Sequence, residues 1–544
     1  IQLLLLSTVT AAQVAAQSTR TTPDFGPNVT IFDPATPAAK IQSTLDSIFA
    51  SQEASEFGAA RYALFFKPGK YDVDARIGFY SQVSGLGLSP DQVVINGGMR
   101  ADARWRKGNA TLNFWRDVEN MSVVPAGGFD RWAVSQAAPM RRMHIRGDLV
   151  LDDGGWSSGG FLADSKVDGE VRSGSQQQWL TRNSTLGSWK GSNWNMVFVG
   201  TEHAPTNSFP DPPYTTIDAA PVIREKPFLF VDRHGAWNVF VPALRSNAEG
   251  TTWISGKPRG VARPLSEFVI VKLGTSATTM NSALARNKSL IITPGVYHLD
   301  APLHITRENT IVLGLGLATL VPDGGVSAID VDDVDGVTLA GLLIEAGPIN
   351  SPVLVQIGPS GSSARHSSNP TLLSDLFVRV GGAGIGKATR SLEINSHDVI
   401  GDHLWLWRAD HGAGVGWTSN TAANGLVVNG NDVTMYGLFV EHYQQQQVQW
   451  NGNGGRTYMF QNEMPYDVPD QAEWMSGTTP GFAAYRVAAA VTSHQAWGLG
   501  SYCFFNRNPI AIERFGRYWI YFPSGKRKTA PEVGAAGLCW TPFQ

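Results

Sequence analysis

The sequence predicts an all-β protein made of two tandem right-handed parallel β-helices with short capping helices. A block near the start recurs after the middle, where FFKPGKYDVD at 65–74 is matched by IITPGVYHLD at 291–300. Short apolar segments also repeat through the second half, as GLLIE at 341, DLFVR at 375, HLWLW at 403 and GLFVE at 437. Repeats of this length that each contain one short strand and no long amphipathic helix indicate a β-solenoid.

Two further matches in the same order support the duplication. IQSTL at 41–45 is matched by MNSAL at 280–284, and VSGLG at 83–87 by VLGLG at 312–316. We interpret each copy as a short helix that caps the open end of a strand stack, followed by a Pro-Gly turn into the first coil. The predicted divisions are a signal-peptide remnant at 1–16, a first β-helix domain at 17–203, a Pro-rich linker with a hairpin at 204–265, and a second β-helix domain at 266–544.

The N-terminus and the glycosylation motifs predict a secreted, glycosylated protein. Val14-Ala15-Ala16 follows a short apolar run and is typical of a signal-peptide cleavage site. No later apolar stretch reaches the length of about 18 residues that a membrane span requires, so no membrane association is expected. Five Asn-X-Ser/Thr sequons occur, at Asn28, Asn109, Asn120, Asn183 and Asn287.

Composition narrows the class of partner. A formal net charge of −3 disfavours nucleic acid, which requires a basic face, and suits a neutral polysaccharide. The two cysteines, Cys503 and Cys539, form one disulfide in an oxidising compartment or remain two buried thiols, and the sequence leaves both readings open. No Cys/His spacing of a zinc site occurs, so we expect neither a metal nor a cofactor. We also expect a monomer.

The residue that follows each repeated apolar segment differs from coil to coil. These residues are Glu345, Arg379, Trp407 and Glu441. In a β-helix, equivalent positions stack about 4.8 Å apart on successive coils. The sequence therefore predicts a polar and aromatic ladder on one face, which is either a solvated surface or a binding surface.

A second carboxyl group follows on the next coil. Glu463 lies 22 positions after Glu441, about one short coil, and two carboxyl groups this close do not both ionise easily. We expect one of them to keep its proton near neutrality, which is what a general acid for glycoside hydrolysis requires. The alternative is that both residues cap turns.

The segment SGGFLADSKVDGEVRSGSQQQWLTRNS at 158–184 resembles the cleft-lining stretch of glycoside hydrolase family 55, the exo-β-1,3-glucanases. The resemblance also covers the tandem layout and the carboxyl pair. It implies two β-helices with a cleft between them, and Glu463 as the general acid supported by Glu441. It further implies that Gln177 or Gln178 of the first helix positions the attacking water.

Aromatic and acidic residues near these segments are candidate sugar contacts, although tryptophan is also common in cores. The candidates are Trp179, Trp194, Trp407, Trp450, Tyr458, Tyr466 and Asp410. The predicted function is a secreted inverting exo-β-1,3-glucanase that acts on neutral β-glucan. The alternatives are a polysaccharide lyase, for which Arg379 or Arg408 would be the base, and a carbohydrate-binding scaffold without catalysis.

Overall fold

The computed structural model describes residues 22–504 and the backbone of three short strands beyond them, Ile520–Tyr521, Arg527–Lys528 and Leu538–Cys539. The predicted signal remnant lies outside the described residues. The architecture is two parallel β-helices, as predicted, and each has one capping helix. No helix in the described part of the chain has the length and apolarity needed to cross a bilayer.

The first β-helix is a 15-stranded sheet wound into a stack of parallel coils. The strands of its main face are Val29–Phe32, Tyr62–Phe66, Ser81–Gly85, Arg116–Pro125, Pro139–Ile145, Phe161–Ala163, Gln178–Arg182, Asn195–Val199 and Tyr214–Ile217. The strands of its other faces are Gly69–Arg76, Val93–Arg100, Phe129–Arg131, Asp148–Val150, Lys166–Arg172 and Thr185–Lys190. Short 3₁₀ turns occupy Pro90–Gln92 and Arg104–Arg106.

Alternation in sequence sets which side chains of the first β-helix enter its core. In Gly69–Arg76 the buried residues are Tyr71, Val73 and Ala75, and the side chains between them are solvent-facing. Helix α1, Ala38–Gln52, buries Ile41, Leu45 and Phe49 over the open end of this stack. Because the α-helix satisfies its own backbone hydrogen bonds, it closes the stack without offering another strand edge.

The connecting segment contains the predicted hairpin. Phe228–Val231 and Trp237–Pro242 pair antiparallel, and Gly260–Pro264 adds a third strand. Ala220–Ile223 pairs separately with Arg245–Ala248, and a 3₁₀ turn at Leu265–Glu267 leads into the second β-helix. The first stack continues to Ile217, past the expected boundary at residue 203, because Tyr214–Ile217 adds a parallel strand to Asn195–Val199.

The second β-helix carries two long parallel sheets. Its first sheet contains Phe268–Val271, Ser289–Ile292, Val296–Leu299, Ile311–Pro322, Thr338–Glu345, Leu372–Val380, Ile400–Arg408, Thr434–Glu441, Gly455–Glu463, His494–Cys503 and Leu538–Cys539. Its second sheet contains Leu303–Ile305, Ile329–Val331, Ser351–Ile357, Ala388–Ile394, Ala422–Val428, Val448–Trp450 and Tyr485–Val487. Helix α2, Ala277–Ala285, caps this stack, and a small hairpin joins Met475–Ser476 to Thr479–Pro480.

One disulfide and several sequons can be placed on this fold. Cys503 is disulfide-bonded, and the strand register sets it opposite Cys539, whose side chain lies outside the described residues. Asn120 and Asn183 are completely buried, and each amide donates to backbone carbonyls. Asn287 is exposed immediately after α2. The sequons therefore differ sharply in accessibility.

A buried lysine of the connecting segment joins the two β-helices. The Lys226 ammonium lies 3.3 Å from Asp117 and contacts Glu119, both in the first β-helix, and it lies 3.0 Å from Asp375 in the second. The three carboxyl groups approach one another closely enough to hold a cation, and the ammonium fills that position. Burial and repulsion from Glu119 hold the pKa of Asp117 well above its usual value, against the effect of Lys226.

Two buried arginines extend this cluster. Arg141 of the first β-helix donates to both carboxyl oxygens of Asp375 at 2.8 Å and to Asp402 at 2.8 Å. Arg182 donates to Asp402 at 2.9 Å and to Glu225 of the connecting segment at 2.7 Å. Such paired, charge-assisted bonds are directional, so they fix how the two β-helices face one another.

Candidate active site

The predicted ladder forms on the first sheet of the second β-helix. Register pairs Glu345 with Arg379, Arg379 with Trp407, and Trp407 with Glu441. The next rung pairs Glu441 with Glu463. Each step is one parallel strand spacing, so the two glutamates are neighbours on adjacent coils.

Glu441 is the deeper of the two carboxyl groups and accepts hydrogen bonds on both oxygens. Gln136 of the first β-helix donates its amide to Oε1 at 2.8 Å, and the Trp405 indole donates to Oε2 at 2.7 Å. Burial, followed by repulsion from Glu463, holds the pKa of Glu441 well above its usual value. Glu441 thus links the two β-helices and favours its protonated form.

Glu463 keeps contact with solvent, with 21% of its side chain exposed. The Tyr466 hydroxyl donates to Oε2, and the Gln461 amide donates to Oε1 at 3.4 Å. Burial raises the pKa of Glu463, and the nearby His442 and the Tyr466 hydroxyl oppose that rise. Burial is therefore the first cause of the raised pKa of Glu463, whereas the repulsion expected between the two carboxyl groups is the second cause of the raised pKa of Glu441.

His442 lies between Glu463 and a second acidic group. Its Nδ1 donates to the Met464 carbonyl at 3.0 Å, and its Nε2 lies 3.9 Å from both Glu463 Oε2 and Asp410 Oδ1. The pKa of Asp410 is lowered to about 2 although burial opposes the change, because His442 and His411 are close. Asp410 therefore stays charged next to the general-acid candidate and keeps a quarter of its side chain exposed, at 25%.

The glutamine that reaches the carboxyl pair from the first β-helix is not one of those predicted. Gln136 bonds directly to Glu441, whereas Gln178 lies further along the stack, opposite Gly500. Gln177 is almost buried on the coil between Ser157 and Trp194, to which its backbone bonds. The role of Gln177 or Gln178 at the attacking water stays a prediction, whereas the hydrogen bond to Glu441 comes from Gln136, which lies in VSQAAP, a segment without any recognisable motif.

Four of the predicted sugar contacts are buried in cores. Trp179 packs in the core of the first β-helix and Trp450 in that of the second, both fully buried. Trp407 lies in the aromatic cluster between the helices, and Tyr458 is stacked between Tyr436 and Trp497. Because these four rings have almost no surface exposed to solvent, none of them offers a face to a sugar.

The remaining predicted contacts lie beside Glu463. Tyr466 donates to this carboxyl group and packs edge-on against His442 with ring centroids 4.4 Å apart. Trp194 of the first β-helix stacks on Tyr502 of the second, with ring centroids 6.2 Å apart and planes 10° apart. Tyr502 is the register neighbour of Glu463, so aromatic surface from both helices lines the space next to it.

Two parallel β-helices with a carboxyl pair and aromatic walls between them define the fold and site of a glycoside hydrolase. The family model described as LAM55 pectate lyase-like domain matches residues 268–463. An exo-β-1,3-glucanase of Streptomyces sp. (strain SirexAA-E / ActE) is 55% identical over 496 residues, which are 91% of this chain and 82% of that protein.

Solved structures agree with this match. The structure of sacteLam55A from Streptomyces sp. SirexAA-E is similar with a TM-score of 0.88, over 90% of this chain and 89% of that one. A single-residue variant of the same protein, in complex with glucose, is equally similar, with a TM-score of 0.88 and 55% identity. The chain belongs to glycoside hydrolase family 55, the family of these exo-β-1,3-glucanases.

Proposed function

We propose that this protein is a secreted, monomeric exo-β-1,3-glucanase that hydrolyses neutral β-glucan with inversion. The observation that carries the proposal is the pairing of a partly exposed Glu463 with a fully buried Glu441 between the two β-helices. The name of the relative from Streptomyces supports the substrate. The formal net charge of −3 is compatible with a neutral polysaccharide and a poor match for an acidic one.

In this mechanism Glu463 protonates the oxygen of the leaving sugar as its bond to the anomeric carbon breaks. Burial raises the pKa of Glu463 and so favours the protonated form that a general acid requires. Water attacks the opposite face of the sugar ring and becomes the new anomeric hydroxyl, its surplus proton passes to the surrounding water, and the Glu463 carboxylate takes a proton back from solvent for the next cycle. Gln136, held by its bond to Glu441, positions that water from the first β-helix.

The test is Glu463→Gln, which keeps the shape of the side chain and removes its proton. We expect laminarin hydrolysis to fall by about 10²–10⁴-fold, while a glucoside with an activated leaving group is partly spared. Glu473→Gln, at an exposed position, is the matched control and should keep the parent rate. NMR that identifies which anomer of the released sugar forms first tests whether hydrolysis inverts the anomeric configuration.

Other outcomes would support the alternatives. Full activity of Glu463→Gln would remove the assignment, and release of an unsaturated sugar would indicate a lyase. The structure disfavours the two arginines considered as a lyase base. Arg379 is buried in an ion pair with Glu345, and Arg408 is buried in one with Asp467. Glycan binding without any sugar release would indicate a scaffold.

A further inference from the structure

The loop that follows α1 in the first β-helix packs against the second β-helix one coil before the carboxyl pair. Phe57 of this loop stacks on Trp407, with ring centroids 6.3 Å apart and planes 8° apart. Gly382 and Gly412 leave space for the ring, because a Cβ added at either position would lie 2.6 or 2.7 Å from a Phe57 ring carbon. Close packing therefore fixes the loop beside the strand pair that joins Trp407 to Glu441.

Glu56, which precedes Phe57, directs its carboxyl group at the second β-helix. Its backbone carbonyl accepts a hydrogen bond from the buried Tyr80 hydroxyl, and that hydroxyl accepts one from Arg379 at 2.6 Å. Glu56 Oε1 then lies 2.6 Å from Nε2 of His411, although the two residues are 355 positions apart. Since the backbone of Glu56 is held by a buried partner, its carboxyl group has a fixed direction.

His411 lies between two carboxyl groups and uses both of its ring nitrogens. Nε2 contacts Glu56, and Nδ1 contacts Asp410 Oδ1 at 2.7 Å. Two carboxylate acceptors require two N–H donors, which only the protonated imidazole has. Burial lowers the pKa of His411, but the hydrogen bonds to Asp410 and Glu56 outweigh it and raise the pKa to about 10. His411 is therefore a fixed positive charge between two negative ones at neutral pH.

Asp410 is the member of this chain of residues that faces the general acid. Its Oδ1, the atom that contacts His411, lies 3.9 Å from His442 Nε2, which in turn lies 3.9 Å from Glu463 Oε2. Burial is the first cause of the raised pKa of Glu463, and the negative charge of Asp410 adds to it. The place and charge of Asp410 therefore affect the protonation of Glu463. The titratable groups that face Glu463 on the described elements are Glu441, His442, Asp410, Tyr466 and Tyr502.

We propose that Glu56 and His411 are positioning residues, which hold the Asp410 carboxylate at a fixed place beside the general acid. They act through Asp410 rather than on the substrate. This inference rests on the proposed function, because it assigns both residues to the protonation of Glu463. It gives the first β-helix a second contribution to the acid chemistry, in addition to that of Gln136.

The experiment compares the pH profiles of kcat/KM on laminarin for Glu56→Gln and His411→Asn. Glu56→Gln removes a negative charge and loosens His411, so Glu463 should lose its proton more readily and the basic limb should move to lower pH. His411→Asn removes the positive charge and keeps an amide to donate to Asp410, so its basic limb should move to higher pH. On the alkaline side of the parent optimum, kcat/KM of Glu56→Gln should fall by about three- to tenfold. Glu53→Gln, which removes the same charge at the end of α1, is the matched control and should keep the parent profile.

A glucoside with an activated leaving group separates this role from a purely structural one. Its hydrolysis depends less on the general acid, so Glu56→Gln should slow it less than it slows laminarin hydrolysis. Unchanged basic limbs, limbs of the two variants that move in the same direction, or equal losses on the two substrates would overturn the positioning role.

The same measurements separate this inference from the proposed function. If the positioning role fails, the proposed function stands as long as Glu463→Gln loses its laminarin activity. Full activity of Glu463→Gln would end the proposed function and the positioning role with it. If Glu56→Gln does not fold, the basic limb of His411→Asn decides: a move to higher pH supports the role, and any other result overturns it.

Discussion

Replacing Lys226 with methionine should strongly destabilise the protein. Its ammonium is 4% exposed and touches three carboxyl groups, those of Asp117, Glu119 and Asp375, which are 6% exposed or less. Removing one partner from a buried ionic cluster leaves uncompensated charge, which costs about 3–5 kcal/mol. We expect that loss in the free energy of unfolding measured in urea at neutral pH.

The pH dependence of that loss gives a second test. The pKa of Asp117 in the folded protein is raised by burial, so its contribution to stability is present at low pH and declines as pH rises toward the folded pKa. Without Lys226 the folded pKa rises further, so the deficit of the variant should grow as pH rises through the folded pKa of Asp117 in the parent protein. The control is Lys67→Met, which breaks a partly exposed pair with Asp33 at 3.3 Å and should cost at most about 1 kcal/mol. The reasoning would be refuted by a Lys226→Met deficit no larger than this control, or by one that shrinks as pH rises.

Two further predictions concern the active site and glycosylation. His442→Asn keeps an amide to donate to Met464 and removes the imidazole that most lowers the pKa of Glu463, so the basic limb of the kcat/KM profile should move to higher pH; an unchanged or lower limb would contradict this. After secretion from a glycosylating host, peptide mapping should find glycan at the exposed Asn287 and none at Asn183, whose buried amide is bonded to backbone; glycan at Asn183 would be incompatible with this fold.

Repetition made the architecture predictable from sequence. Each coil of the second β-helix contributes the same short apolar strand, so one register, once found, places Glu441 beside Glu463. The two capping helices were predictable for the same reason, since each precedes a duplicated Pro-Gly turn. The end of the first stack was less predictable, because Tyr214–Ile217 joins it from a Pro-rich segment that reads as a linker.

The cleft was less predictable than the ladder, because it is formed by contacts between residues far apart in sequence. Gln136 and Glu441 are 305 positions apart, and no periodic pattern relates the coils of one β-helix to those of the other. The direction in which a side chain points, to the core or to the cleft, was a second limit on predicting the site from sequence. Trp179 and Trp194 lie in the same kind of segment, but one faces the core and the other the cleft, and aromatic composition does not distinguish these directions.

The hydrogen bond from Gln136 to Glu441 bears on how this enzyme can be divided or recombined. Residues 268–463, the stretch that the family model matches, contain both glutamates and resemble a self-sufficient module. Expressed alone, that module would keep Glu463. It would lose the Gln136 amide that holds Glu441 and the aromatic wall that Trp194 supplies. The smallest part of the chain that keeps the whole site is therefore the pair of β-helices with their connecting segment. If one β-helix is exchanged for that of a relative, the other β-helix of the same relative must be exchanged with it.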